Sequence, residues 1–148
     1  MQIVSPPPGR RRSLTRRVAT VTLALAYLAA GIIHLGWPDV FLPIMPGWVP
    51  LPREMILVTG ACEIAGAIGL MLPRTRRLTG IMLALYAVCV FPANVTHAMN
   101  DLSTGTGLGW WYHGPRLLAQ PLIVWWALYA GGIVDGFGRR GGVIKPPT

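Results

Sequence analysis

Four long apolar runs, separated by short polar or proline-rich stretches, constrain this chain more than any other feature. The runs are Val18–Trp37, Met55–Leu72, Leu78–Met99 and Leu117–Val134. About 20 helical residues, each rising about 1.5 Å, cross the ~30 Å hydrocarbon core of a bilayer. Because a segment in lipid has to satisfy its own backbone hydrogen bonds, each run is predicted to be a helix. Only 12% of the residues are charged, about half the share of a soluble domain. The sequence therefore predicts an all-α integral membrane protein, a four-helix bundle.

The basic residues are distributed unevenly around these runs. Eleven of the thirteen Lys and Arg residues lie before the first run, between the second and third, or after the fourth; the other two are Arg53 and Arg116. By the positive-inside rule, the side with the clusters faces the cytoplasm. Both termini are therefore predicted to be cytoplasmic. The eleven residues are Arg10, Arg11, Arg12, Arg16, Arg17, Arg74, Arg76, Arg77, Arg139, Arg140 and Lys145.

The same pattern divides the chain into three segments. Residues 1–16 are predicted to be a disordered basic cytoplasmic N-terminus, residues 17–136 the four-helix transmembrane domain, and residues 137–148 a cytoplasmic tail. An alternative interpretation treats residues 1–30 as a cleaved signal with a twin-arginine element. Cleavage would leave three spans and move one basic cluster to the other side of the membrane, so four spans are favoured. Membrane orientation explains the net charge of +8, and no nucleic-acid partner is predicted.

Glu63 is the one charged residue within the run Met55–Leu72. An ionised group at bilayer depth costs about 3 kcal/mol or more, so the protein has to offset that cost. Small neighbours on the same helix face, among them Gly60 and Gly66, permit close helix packing and predict that Glu63 points into the bundle. The other three helices contribute polar residues at a similar depth. The predicted ligand-binding or proton-relay residues are Glu63, His34, Asn94, His97, Arg116 and Gln120.

These six residues predict a polar pocket in the outer half of the bundle, with Glu63 at its floor. No catalytic residue and no metal site is predicted. In a structural alternative, a protonated Glu63 hydrogen-bonds to Asn94 or Gln120 and locks the register of the helices. Arg116 can also be read as an anchor at the membrane boundary.

Five stretches of the sequence occur in an order that resembles the DoxX-like family of small bacterial membrane proteins. They are AGIIHL, IMPGWVPLP, GACEIAGAIGLMLPRTRR, VFPANV and RLLAQPLIVWW, within residues 28–127. The matching residues are His34, Glu63, Pro92, Asn94, Arg116 and Gln120. The family pattern often has a proline between this arginine and glutamine, where the present chain has Leu117, Leu118 and Ala119. The resemblance implies a four-helix, multi-pass protein of the bacterial cytoplasmic membrane.

The resemblance also implies a function in redox metabolism. Named relatives include a membrane subunit of a thiosulfate–quinone oxidoreductase and a partner of detoxifying enzymes in actinobacteria. The implied function is an accessory or quinone-binding subunit of a membrane redox system, with a redox protein as partner and the lipid bilayer around it. Glu63 would accept or relay protons, and the other polar residues would donate hydrogen bonds. Since no dinucleotide, Walker or GxSxG motif is present, a non-catalytic subunit is favoured over a stand-alone enzyme.

Three other functions stay open. A transporter or proton-conducting protein is disfavoured because the cytoplasmic halves of the runs contain no comparable polar residues. An assembly scaffold would use the polar residues as structural contacts only. A haem between His34 and His97 is the weakest hypothesis, since two histidines near helix ends match haem-binding patterns poorly. Cys62 and Cys89 lie in separate runs and would form a redox pair only if their helices are neighbours.

Overall fold

The computed structural model describes residues 13–105, 107 and 109–135. These residues form α1 (Leu14–Gly36), a 3-10 helix (Pro38–Ile44), α2 (Pro52–Met71), α3 (Arg76–Thr104) and α4 (Gly109–Gly131). The prediction of an all-α protein is confirmed. The predicted disordered N-terminus, residues 1–16, lies mostly outside the described residues, and its last three residues belong to α1. The predicted tail, residues 137–148, lies entirely outside them.

The local sequence explains where the helices begin and end. The Ser13 side chain accepts a 3.3 Å hydrogen bond from the backbone N–H of Arg16 and caps the start of α1. Pro52 opens α2 in the first turn, where a missing N–H is tolerated. After α3 the chain turns at Gly105, whose φ of 65° is the left-handed conformation that glycine adopts readily.

Two helix boundaries differ clearly from the prediction. α3 continues to Thr104, past the predicted end at Met99, and α4 begins at Gly109 instead of Leu117. The predicted boundaries followed the loss of hydropathy. A helix continues beyond its apolar segment until a residue such as glycine ends it, so hydropathy underestimates its length. The other boundaries differ by four residues or fewer.

Among the described residues, three helices, α1, α2 and α3, are long and apolar enough to cross a membrane. Only 22–33% of the residues in their most apolar windows are buried, so most of their apolar surface faces outward. Leu14 is 77% exposed and Leu78 is 64% exposed. Apolar surface on this scale is unfavourable in water, and the fold is therefore compatible with a membrane protein. α4 has 23 residues, but its tryptophans, tyrosines and histidine make it less apolar.

The four helices run alternately up and down, and each packs on its neighbours in the chain. The ring of helices closes between α1 and α4. There the Arg16 guanidinium donates to the Val134 carbonyl at 2.9 Å, and Trp126 Nε1 donates to the Ala19 carbonyl at 2.9 Å. Alanines make up much of the core and let the helix backbones approach closely. The core residues are Leu23, Ala24, Tyr27, Ala67, Leu70, Leu83, Ala84, Ala127 and Ala130.

The two ends of the bundle differ in charge. At one end, here called the basic end, α1 and α3 begin and α2 and α4 end. The described arginines at the basic end are Arg16, Arg17, Arg74, Arg76 and Arg77. The opposite end carries Arg53, Arg116 and the 3-10 helix, which packs on α1, α2 and α3.

Candidate functional site

Glu63 is buried near the middle of α2 and is held by side chains from two other helices. Its side chain is 6% exposed. The carboxylate oxygen Oε1 accepts a 2.8 Å hydrogen bond from the Tyr86 hydroxyl on α3, and Oε2 lies 2.6 Å from His34 Nδ1 on α1. We call Glu63, His34 and Tyr86 the acid centre. The two short contacts to the carboxylate offset part of the free-energy cost of removing the acid from water.

Two glycines bring His34 up to Glu63. A Cβ added at Gly31 would lie 2.7 Å from the Gly60 carbonyl oxygen, and a Cβ added at Gly60 would lie 2.9 Å from His34 Cβ. Larger residues at either position would therefore push α1 and α2 apart. Because helical side chains lean toward the helix N-terminus, His34 reaches back along α1 toward Glu63.

His34 connects the buried acid to the surface. On the inner side of the acid centre, the Tyr86 ring meets the buried Tyr27 ring edge-on, with 6.0 Å between centroids. On the other side, the ring of Phe41 in the 3-10 helix lies 4.2 Å from the His34 ring. The His34 side chain remains 18% exposed. His34 is therefore more exposed than the carboxylate that it contacts, whose side chain is 6% exposed.

Besides its packing on α1, α2 and α3, the 3-10 helix makes two contacts of different kinds near His34. One is the packing of the Phe41 ring on the imidazole. The other is an ion pair in which Arg53 Nε donates to Asp39 Oδ1 at 3.0 Å, with side chains that are 56% and 68% exposed. Exposed ion pairs contribute roughly 0–1 kcal/mol, so packing on the helices, including that of Phe41 on His34, stabilises the position of the 3-10 helix more than the ion pair does.

A second group of polar side chains lies between α3 and α4 at the opposite end of the bundle. His97 and Asp101 are one turn apart on α3, and His113 faces them from α4. Asp101 Oδ2 lies 3.0 Å from His113 Nε2 and 3.3 Å from His97 Nε2. His97 Nδ1 lies 2.7 Å from Arg116 Nη1. We call His97, Asp101, His113 and Arg116 the histidine cluster.

The donors of the histidine cluster fix the arrangement of its protons. A guanidinium has only N–H donors, so His97 Nδ1 accepts from Arg116 and the neutral ring carries its proton on Nε2, facing Asp101. His113 is 0% exposed, and its Nδ1 is buried with no hydrogen-bond partner in the described part of the chain. A buried polar atom without a partner costs roughly 1–3 kcal/mol. The histidine cluster therefore contains one ring nitrogen, Nδ1 of His113, whose hydrogen-bonding capacity is not used within the described residues.

The structure divides the predicted site residues between two places. His34 and Glu63 meet at the acid centre, whereas His97 and Arg116 meet in the histidine cluster. Tyr86 and His97 are eleven residues apart on α3, which is about 16 Å along the helix. A single pocket lined by all of the predicted residues is therefore not the observed arrangement.

Asn94 and Gln120 belong to neither group by hydrogen bonding. Both are buried, at 9% and 8% exposure, but the carboxylate of Glu63 is held by His34 and Tyr86 instead. The structural alternative that paired Glu63 with one of the two amides is thus not observed. Asn94 is eight residues beyond Tyr86 on α3, which puts it about 12 Å further along the helix.

Three residues of these two groups were missed by sequence reasoning. Tyr86 lies in the middle of an apolar run, and a buried tyrosine hydroxyl usually needs a partner, which is the sequence signal that could have identified it. Asp101 lies four residues after His97, a spacing that brings side chains together on a helix, but the predicted helix ended before it. His113 fell in a predicted loop. No metal site was predicted, and ligand atoms of His97, Asp101 and His113 lie within 4.8 Å of one another.

The two redox-type pairs considered from the sequence are not assembled. Cys62 and Cys89 are free thiols and both are exposed, because they lie on the outer faces of their helices. His34 and His97, considered as a haem pair, bond to different partners in different groups.

Comparison with known proteins identifies the family. A family model described as Domain of unknown function (DUF8561) matches residues 23–130. The chain belongs to this family. The matched DUF8561 segment contains every residue of the acid centre and of the histidine cluster. No curated protein and no solved structure matches the chain.

Membership in the DUF8561 family corrects the resemblance drawn from short stretches of sequence. The matching family is one of unknown function, and the interpretation as a DoxX-like protein is wrong. Short motifs of small residues, prolines and a buried acid suit any tightly packed membrane bundle, which explains the misleading likeness. The quinone, redox-subunit and redox-partner expectations depended on that resemblance and lose their support with it.

Proposed function

We propose that all four helices cross a cytoplasmic membrane and that both termini lie on its cytoplasmic side. The described arginines support this topology, with five at the basic end and two at the opposite end, as the positive-inside rule requires. Trp110 and Trp111 at the start of α4 are exposed, as expected for rings among lipid headgroups.

The topology is tested by labelling single cysteines in intact cells with a membrane-impermeant maleimide. Cys62 and Cys89 are first replaced by alanine. The variant Gly47→Cys, in the connection between α1 and α2, is expected to react from outside, and Arg74→Cys, between α2 and α3, only after lysis. Labelling of Arg74→Cys alone in intact cells would reverse the proposed orientation.

We further propose that the acid centre binds a small polar molecule and exchanges protons with it from the non-cytoplasmic side. One observation carries this proposal: the buried carboxylate of Glu63 is bonded to His34, a histidine that is itself partly exposed. An imidazole holds a carboxylate through one nitrogen and can exchange a proton through the other. The contact with His34 therefore gives the buried acid a chemical connection to the surface.

The acid centre is better suited to exchange on one side than to conduction across the membrane. Among the described residues, the buried polar side chain nearest the basic end is Thr20. Its hydroxyl is already bonded to the carbonyls of Arg16 and Ala130. Between Thr20 and Glu63 the described core is made of leucine, alanine and tyrosine, so no acidic or basic side chain there continues the path inward.

An assembly scaffold is the second candidate. It is favoured by the fact that both carboxylate oxygens of Glu63 are satisfied within the protein. A structural role and a proton-exchanging role differ in what the variant Glu63→Gln does. The glutamine amide can still accept from Tyr86 and donate to His34, so the contacts survive while the exchangeable proton is lost.

The proton-exchange proposal is tested by infrared difference spectroscopy on the full chain in nanodiscs. Changing the pH on the wild-type protein is expected to change a carboxyl C=O band that Glu63→Gln removes. Glu54→Gln is the matched control, because Glu54 is an exposed acid in the first turn of the same helix. A carboxyl band that is absent, or that is insensitive to pH in the folded protein, favours the scaffold.

A binding assay addresses the class of molecule. A short-chain ubiquinone analogue is a suitable first probe, because it is small, membrane-soluble and rich in hydrogen-bond acceptors. We expect any specific binding to weaken in Glu63→Gln and to persist in Glu54→Gln. Equal affinity in all three proteins would exclude quinones as ligands of the acid centre. Proton flux through liposomes containing the protein would instead favour the conducting alternative.

A further inference from the structure

We propose that the histidine cluster is a binding site for a divalent transition-metal ion of the zinc class, with His97, Asp101 and His113 as ligands. The site would join α3 to α4 at the opposite end of the bundle. It is separate from the acid centre and does not depend on the function proposed for Glu63.

The distances between the three ligand atoms suit a small ion. In a tetrahedral zinc site with bonds of about 2.0–2.2 Å, ligand atoms lie about 3.4 Å from one another. Asp101 Oδ2 is 3.0 Å from one histidine Nε2 and 3.3 Å from the other. All three ligand atoms lie within 4.8 Å. Small side-chain rotations therefore suffice to coordinate an ion.

The chemistry of the ligands points to a transition metal. Imidazole nitrogens suit zinc, copper, iron and nickel, whereas magnesium and calcium prefer sites made of oxygen atoms. Two histidines and one carboxylate also leave a fourth tetrahedral position open, as in catalytic zinc sites. Water or a substrate atom could occupy that position.

The surroundings hold the ligands in place. His113 is fully buried between α3 and α4, and its Nε2 faces Asp101. A Cβ added at Gly107 would overlap the carboxylate of Asp101, so the turn after α3 packs directly on this ligand. His97 and His113 meet edge to face, with 4.9 Å between ring centroids. A site on rigid helices loses little conformational freedom when an ion binds.

The location makes the site reachable from the membrane surface. Asp101 is 24 residues after Arg77 on α3, a distance of about 36 Å along the helix. The hydrocarbon core is only about 30 Å thick. In the topology proposed above, an ion in the histidine cluster therefore lies at the level of the headgroups and not in the apolar interior.

Arg116 competes with the metal. A neutral His97 that ligates an ion through Nε2 must carry its proton on Nδ1, and that nitrogen can then no longer accept from Arg116. The guanidinium lies 5.5 Å from the centre of the Tyr112 ring, which offers it an alternative cation–π contact. Binding of the ion thus requires Arg116 to release His97, and the positive charge of Arg116 opposes the ion.

This competition makes the variant R116Q informative. Glutamine removes the positive charge, and its side-chain oxygen can accept the Nδ1–H of a metal-bound His97. Metal-binding histidines commonly donate their second N–H to an oxygen in this way. Tighter metal binding in R116Q than in wild type is therefore expected from the proposed geometry.

Isothermal titration with Zn²⁺ tests the proposal on the full chain without a polyhistidine tag, in detergent and after chelation. Wild type is expected to bind one ion per chain, and R116Q to bind it more tightly. D101N and H113Q should each lose at least about tenfold in affinity. E54Q, which removes an exposed acid elsewhere, should match wild type. Substitution with Co²⁺ should produce the strong visible absorption of tetrahedral coordination in wild type and R116Q.

The titration has outcomes that would overturn the proposal. Equal Zn²⁺ affinity in D101N, H113Q and wild type would mean adventitious surface binding only. No saturable binding in wild type would reject the site in the native chain, even if R116Q bound zinc. Circular dichroism checks that each variant keeps its helices. Should H113Q fail to fold, D101N decides, because asparagine keeps the size of the aspartate and can still hydrogen-bond to both histidines.

Discussion

The acid centre and the histidine cluster use similar residues in opposite ways. At the acid centre, three helices converge on one carboxylate, and each of its oxygens has a partner at 2.6–2.8 Å. In the histidine cluster, two helices supply a carboxylate, two imidazoles and a guanidinium, yet one imidazole nitrogen stays without a partner. The comparison teaches that deep in an apolar bundle the protein has to satisfy its polar groups itself. Nearer the end of the bundle, one buried nitrogen of the histidine cluster, His113 Nδ1, is left without a partner in the described part of the chain, at a cost in free energy.

The largest expected effect comes from removing each carboxylate. Glu63→Leu leaves His34 and Tyr86 without their shared partner and should destabilise the protein by about 2–6 kcal/mol, at 1–3 kcal/mol for each unsatisfied group. Asp101→Leu should cost less, because the Asp101 side chain is 20% exposed and water can replace part of what is lost. Unfolding curves of both variants in one detergent measure the difference. Equal losses would show that the two groups are equally closed to water.

The second-largest effect is expected at Gly31, whose close contact with Gly60 brings His34 up to Glu63. Gly31→Ala forces a Cβ to within 2.7 Å of the Gly60 carbonyl oxygen and should cost about 1–3 kcal/mol through overpacking. Gly36→Ala is the matched control on the same helix, since an added Cβ there meets nothing within 4 Å. The infrared band of Glu63 should shift in Gly31→Ala only. If it shifts in neither variant, the close approach of α1 and α2 does not position His34.

A smaller effect is expected from one hydroxyl group. Tyr86→Phe removes the 2.8 Å hydrogen bond to Glu63 Oε1 and should destabilise the protein by about 0.5–1.5 kcal/mol. Tyr27→Phe is the control, because Tyr27 contacts the Tyr86 ring but donates no hydrogen bond to the acid. Thermal unfolding compares the two. A larger loss in Tyr27→Phe would mean that ring packing, and not the hydroxyl of Tyr86, supports the acid.

The smallest effect should come from the 3-10 helix. Arg53→Ala breaks the exposed ion pair with Asp39, at a cost below about 1 kcal/mol that salt reduces further. Hydrogen exchange in Pro38–Ile44 should become faster, whereas Arg74→Ala, an exposed arginine at the basic end, should leave it unchanged. Unchanged exchange in both variants would leave the packing of Phe41 as the contact that holds the 3-10 helix.

The helical class and the inward direction of Glu63 could be predicted because both follow from local rules. Apolar runs of bilayer length require helices, and Gly60 and Gly66 beside Glu63 indicate a face that packs closely on another helix. Both glycines and Glu63 are indeed buried. Membrane compatibility followed from the same apolar runs.

The partners of the predicted residues could not be derived, because they depend on how far each helix extends and how it is rotated. Hydropathy ended α3 before Asp101 and began α4 after Arg116, so only His97 lay in a predicted helix while Asp101, His113 and Arg116 fell in the supposed loop. Similar depth was also taken as proximity, which brought Asn94 into a pocket with Glu63. Side chains at one depth meet only when they share a helix interface, and no single sequence specifies that rotation.

The tight connection between α2 and α3 has a consequence for how the acid centre is assembled. Arg76 Nε donates to the Leu70 carbonyl at 2.6 Å, and its Nη2 donates to the Met71 carbonyl at 3.0 Å, so the arginine clamps the end of one helix to the start of the next. The hairpin that emerges from the ribosome then already contains Glu63 and Tyr86, which bond across it. The acid and its hydroxyl donor therefore belong to one hairpin of neighbouring helices, and their pairing does not require α4.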